Sequence, residues 1–134
     1  MVATITDNPK VELLPKSSKG RFKTLEHISH QLINGMELFI HKGYVSNGAS
    51  VPRILWGIYS PYGTYTNPAI VHDYLYENNL YSRKFSDKQF LIDMGKCGTN
   101  KFTKWLFYIV VRIFGQRNWK YYGRVNNRTS NRNS

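Results

Sequence analysis

His72, Asp73, Tyr76 and Asp87 are the residues whose types and spacing suit chemistry in this chain. On a helix through this region, His72 and Tyr76 lie one turn apart on the same face, and Asp73 points about a quarter turn away. Asp87 follows after a short connection, at the opening of a second helix. Packed against the first helix, that second helix would bring the Asp87 carboxylate to the imidazole. The set then comprises a histidine base, a carboxylate to orient it, a tyrosine to hold that carboxylate, and a second carboxylate for a cation. Hydrolysis by an activated water needs such an assembly. The same residues also suit a plain structural role, with His72 and Asp73 as a polar pair near a helix start, where Asp73 complements the dipole. Spacing alone leaves both readings open.

Two other candidates are weaker. Ser50, in Gly48-Ala-Ser-Val-Pro52, lacks the Gly-x-Ser-x-Gly turn of a nucleophile elbow and reads as a turn or cap residue. His27, His30 and His41 have neither cysteines nor helical spacing to make a zinc site, and read as surface histidines on strands.

The elements that must position the site are legible in outline. Residues 1–20, with Pro9, Pro15 and Ser17-Ser-Lys-Gly20, read as an irregular arm. Two β-leaning runs, Phe22 to Leu32 and Met36 to Tyr44, flank Asn34-Gly35, so a β-hairpin is expected over 21–45. A loop over Gly43 to Pro52 and a short helical turn over Arg53 to Tyr59 follow. Asn67-Pro68 opens a helix to about Leu80. Ser86-Asp-Lys-Gln89 is a capping-box pattern for a second helix, closed by Gly95 and Gly98. The third helix runs from about Asn100 to Phe114, with Phe102, Trp105, Ile109 and Ile113 at helical spacing and Gly115 as its stop. Residues 124–134, rich in asparagine, arginine and serine, read as a flexible tail. The expected fold is a single α+β domain, with a hairpin or small antiparallel sheet followed by three helices over 67–115 that carry the site.

Composition narrows the class. A chain of 134 residues with 41% hydrophobic and 15% aromatic content has room for one core and is not a disordered sequence. The surplus aromatics suit either the core or an interface. Cys97 is the single cysteine, so an intramolecular disulfide is excluded and folding in a reducing compartment is expected. The start of the chain lacks the pattern of a secretory signal. The longest apolar run, Trp105 to Val111, falls far short of the ~20 residues that span a bilayer.

The net charge is +11, from 19 Lys+Arg less 8 Asp+Glu, and its placement matters more than its size. Asp93 is the last acidic residue, and nine basic residues follow it. A one-signed end attracts a polyanion, whether a phosphate backbone, an anionic lipid surface or an acidic protein face. Lys101, Lys104, Arg112, Arg117, Lys120 and Arg124 are the expected anion-binding residues. With Trp105 and Ile109 packed inward, these cations would face outward.

Four ordered motifs extend this reading: Gly48-Ala-Ser-Val-Pro-Arg53, His72-Asp-x-Leu-Tyr76, Ser86-Asp-x-x-Phe90 and Val111-Arg-x-Phe-Gly115. Together, over roughly residues 40–120, they resemble an uncharacterised domain family of tailed bacteriophages and prophages. A more remote resemblance rests on Asn67-Pro-Ala69, His72-Asp-x-x-Tyr76 and Phe85-Ser-Asp-x-Gln-Phe-x-Ile-Asp93. This order is similar to the catalytic core of the calcium-dependent phospholipase domain of parvovirus capsids. The resemblance implies that His72 activates water, Asp87 orients His72, Tyr76 holds Asp87, and Asp73 is a calcium carboxylate. It departs at the calcium loop. Tyr59-Ser-Pro-Tyr-Gly63 places Pro61 where an N–H donor is wanted, and Tyr44-Val-Ser-Asn-Gly48 lacks the first glycine.

Three functions are therefore expected to compete: a phospholipase-like, calcium-dependent hydrolase on anionic lipid, a non-catalytic virion or assembly protein, and a nucleic-acid-binding accessory protein. All three place the chain in the host cytoplasm during synthesis, with the virion a further destination.

Overall fold

The computed structural model describes residues 2–7, 9–13, 22–46 and 66–133. The Gly48–Arg53 motif, Ser50, the expected turn over 53–59 and the second loop candidate, Tyr59 to Gly63, lie outside these residues.

The described N-terminal part forms two small sheets. One has the order β1 (Val2–Ala3), β4 (His27–Gln31), β5 (Glu37–Ile40), with β1 parallel to β4 and β4 antiparallel to β5. The other joins β2 (Val11–Leu13), β3 (Phe22–Thr24) and β6 (Val45–Ser46), all antiparallel. The hairpin expected at Asn34-Gly35 is present, and Gly35 adopts φ 85°, where a side chain would be strained. It spans only β4 and β5, however, because Phe22–Thr24 turns away to pair with β2 and β6. The first residues are not an irregular arm throughout: Val2–Ala3 and Val11–Leu13 are strands, each held by a partner distant in sequence. Such non-local pairing leaves no local pattern to read.

Among the described residues, four helices follow: α1 (Thr66–Asn78), α2 (Arg83–Lys96), α3 (Lys101–Phe114) and α4 (Gln116–Asn133). The fold is α+β, as expected, with one helix more. Helix α1 is the centre of the molecule. Its Ile70, Val71 and Leu75 join the sheet residues Ile28, Leu32, Leu38 and Ile40 in one core cluster. Its Ala69 joins Phe90, Met94, Phe107 and Val111 of α2 and α3 in a second. A helix covered on both sides buries its polar residues with its apolar ones, so its functional side chains must find partners within the protein.

Helix α2 begins at Arg83, capped by Ser82, whose side chain accepts from the Phe85 amide at 3.1 Å. The expected capping box at 86–89 is therefore not a start, and Asp87 lies in the second turn. Helix α3 has the expected bounds but the opposite orientation. Thr103, Phe107 and Val111 face the core, while Trp105 and Ile109 are 43% and 51% exposed. Both faces carry apolar residues at helical spacing, so periodicity could not choose between them, and packing against Phe90 and Met94 did. Residues 124–133 are helical rather than a flexible tail. Trp119 packs edge-on against Tyr76 at 5.2 Å, and Asn126 Nδ2 donates to Glu77 O at 3.1 Å and to Asn79 Oδ1 at 2.6 Å. These contacts with α1 supply the support that the polar composition lacks.

Candidate functional site

Helices α1 and α2 bring His72, Tyr76 and Asp87 together. His72 and Tyr76 share a face of α1, with ring centroids 4.2 Å apart. Phe90 of α2 also packs against the imidazole, with ring centroids 4.8 Å apart. His72 Nε2 lies 2.7 Å from Asp87 Oδ1, and the Tyr76 hydroxyl donates to that same oxygen at 2.5 Å. His72 and Asp87 are both buried, the carboxylate completely.

The second carboxylate oxygen is held by arginines. Arg112 of α3 donates to Asp87 Oδ2 at 2.7 Å, and Arg83, one turn ahead on α2, approaches it at 3.5 Å. Arg83 also donates to the Val111 and Arg112 carbonyls near the end of α3, each at 3.2 Å from Nη1. Burial pushes the Asp87 carboxyl up, but the hydrogen bond and charge of His72, with the hydrogen bonds of Tyr76 and Arg112, outweigh it and hold Asp87 below its ordinary value. Burial, and then the bond to this carboxylate, push the Tyr76 phenol well above its ordinary value.

These bonds define the imidazole's state. An ionised Asp87 only accepts, so His72 Nε2 must carry a proton and donate it. In the neutral ring the lone pair then resides on Nδ1, the tautomer that a base with an orienting carboxylate requires.

Asp73 points away from this pair. It is buried and accepts a hydrogen bond from Ser46 Oγ of β6, which lies within the first loop candidate, Tyr44 to Gly48, whose last two residues are outside the described ones. Among the described residues no group of three or more His, Cys, Asp or Glu side chains could hold a metal ion. Asp73 would supply at most two of the six to eight oxygens calcium takes.

The expected anion-binding residues divide. Lys101, Arg117, Lys120 and Arg124 are exposed, and Lys104 is half-buried. Arg112 is not part of an outward face, because its guanidinium turns inward to Asp87. Arg83 and Gly115 belong to the site and were not foreseen there. Arg83 stands four residues before Asp87, a helical pair spacing that could have revealed it. Gly115 caps the end of α3, as expected, but with helical rather than left-handed dihedrals, and it joins α3 to α4. A β-carbon on it would sit 2.7 Å from the Tyr76 hydroxyl, so its missing side chain makes room for the site.

The three remaining histidines are not alike. His27 and His41 remain at the surface, but His30 is buried, with Nε2 2.9 Å from Asp93 Oδ1. Gln89 donates to Asp93 Oδ1 at 2.8 Å and accepts from the Ile33 amide at 2.8 Å, tying the hairpin to α2. Strand alternation puts His30 on the same face as Ile28 and Leu32, which was the available signal.

The fold and site define a small α+β domain with a buried histidine–carboxylate pair braced by arginines. Residues 23–111 match the family described as "Protein of unknown function (DUF1353)", and the chain belongs to that family. No curated protein and no solved structure matches the chain. No helix among the described residues is long and apolar enough to cross a membrane.

Proposed function

We propose that this protein is a phage-associated, phospholipase-A-like hydrolase. The observation that carries the reading is the buried His72–Asp87–Tyr76 arrangement, in which the imidazole tautomer is fixed by an ionised carboxylate. In this reading His72 takes a proton from water as the water oxygen adds to an ester carbonyl of a phospholipid. The imidazolium returns that proton to the departing alkoxide, giving a fatty acid and a lysolipid. Asp87 stays ionised throughout, consistent with its lowered pKa, and Tyr76 positions it. Calcium is the cation this reading assigns to Asp73. The described donors do not by themselves suffice for it, so no step depends on the metal here.

The test is fatty-acid release from mixed phosphatidylglycerol and phosphatidylcholine vesicles, with millimolar calcium or with chelator. The expected result is release that falls at least ~10²-fold in His72→Gln, the scale of general-base catalysis, and the chelator arm shows whether the reaction also needs calcium. No release from a folded wild-type protein would overturn the reading. One observation favours a second reading, a non-catalytic virion structural or assembly protein. The bonds that orient His72 also join α1, α2 and α3, and such bracing is useful without turnover.

A further inference from the structure

Helix α3 presents to solvent a stripe of large apolar side chains, Phe102, Trp105, Ile109 and Ile113, spaced by three, four and four residues along one face. Phe102 is 75% exposed and Ile113 63%, so the described residues leave these side chains largely uncovered. An open groove of about 530 Å³ runs along the first part of this face, lined by Lys101, Phe102, Trp105, Leu106 and Ile109. Beyond Gly115 the pattern changes but the spacing does not. Arg117, Lys120, Arg124 and Arg128 recur at three, four and four residues along α4 and are all exposed. Trp119 and Asn126, nearly opposite them on the helix, hold α4 to α1.

We infer that the exposed face of α3 is a bilayer-insertion face for an anionic phospholipid membrane. Its apolar stripe enters the boundary between headgroups and acyl chains, and the cationic stripe of α4 engages the lipid phosphates. Charge decides the occupant. A second copy would bring the acid-free ends of two basic chains together, which repel. A nucleic acid would use the cations but leave the isoleucine and phenylalanine side chains in water. An anionic bilayer satisfies both stripes, in the manner of an interfacial amphipathic helix. The inference deepens the lipid reading above but requires no turnover.

Partition is measured by co-sedimentation with equimolar phosphatidylglycerol and phosphatidylcholine vesicles, with pure phosphatidylcholine as control. Wild-type protein is expected to bind the anionic vesicles and to bind less as salt rises. Phe102→Ser with Ile109→Ser should weaken binding at least ~10-fold, because buried apolar area sets interfacial affinity. Its thermal melt should match the wild type, since both side chains are exposed. Lys120→Gln with Arg124→Gln should weaken binding and flatten the salt dependence. Brominated acyl chains should quench wild-type tryptophan fluorescence, and Trp105→Phe should remove most of that quenching. Unaltered partition of the Phe102/Ile109 variant, absence of quenching, or a lipid-free dimer that this variant abolishes would each overturn the proposal. Vesicle binding without fatty-acid release would leave the insertion face standing and remove only the hydrolase reading.

Discussion

Arg112 Nη1 lies 2.7 Å from Asp87 Oδ2, on the carboxylate oxygen opposite the one that His72 and Tyr76 share. One cation of the basic end is thus spent inside the protein. It neutralises a fully buried charge, and it couples the position of α3 to the orientation of His72. Leaving a buried carboxylate short of donors is more damaging than losing an equivalent surface pair.

Arg112→Gln should therefore make the protein less resistant to acid. The folded pKa of Asp87 is lowered, so its contribution to stability is complete above the unfolded value of ~3.9 and is lost as pH falls through the lower folded value. Removing Arg112 brings the folded value back toward the unfolded one. The acid-unfolding midpoint, followed by circular dichroism, should move to higher pH, with neutral stability lower by about 1–2 kcal/mol. An unchanged midpoint would show that the guanidinium has no hold on Asp87.

Gly115→Ala should be destabilising, by about 1–3 kcal/mol, although alanine ordinarily favours a helix. The methyl group would stand against two groups, the backbone carbonyl of Val111, which is the nearer, and the Tyr76 hydroxyl, 2.7 Å away. In a Tyr76→Phe background the share of the penalty due to the hydroxyl should disappear, while the share due to the Val111 carbonyl remains. A double-mutant cycle by denaturant titration measures that coupling, and additive effects would exclude the contact.

Gln89→Leu should lower stability by about 2–3 kcal/mol, because it strips partners from the Ile33 amide and from the buried Asp93 carboxylate together. Asp93 Oδ2 already lacks a hydrogen-bond partner among the described residues, which leaves little to compensate. Lys88→Leu, one residue away and exposed, is the control and should leave the melting temperature nearly unchanged.

The sequence by itself determined the local facts. Asn34-Gly35 specified a hairpin turn, Asn100 the start of α3, and the His72–Tyr76 spacing a shared helix face. Each depends on residues within about one turn or one hairpin, where dihedral preference and side-chain period act directly. Placing Asp87 near His72 needed one more step, the packing of consecutive helices, and that step was also within reach.

Tertiary structure decided which face of each element is inside and which distant groups meet. Helix α3 has two apolar faces, and only its packing on Phe90 and Met94 turned Phe107 inward and Trp105 outward. The same rotation carried Arg112 from the expected outward surface to Asp87. The asparagine- and arginine-rich end lacks an apolar pattern strong enough to read as a helix. Trp119 and Asn126 nevertheless hold it against α1, and the order of that segment comes from contacts with residues some 40 to 50 positions away. The free energy of such long-range contacts belongs to the assembled fold, and no local window of the chain contains it.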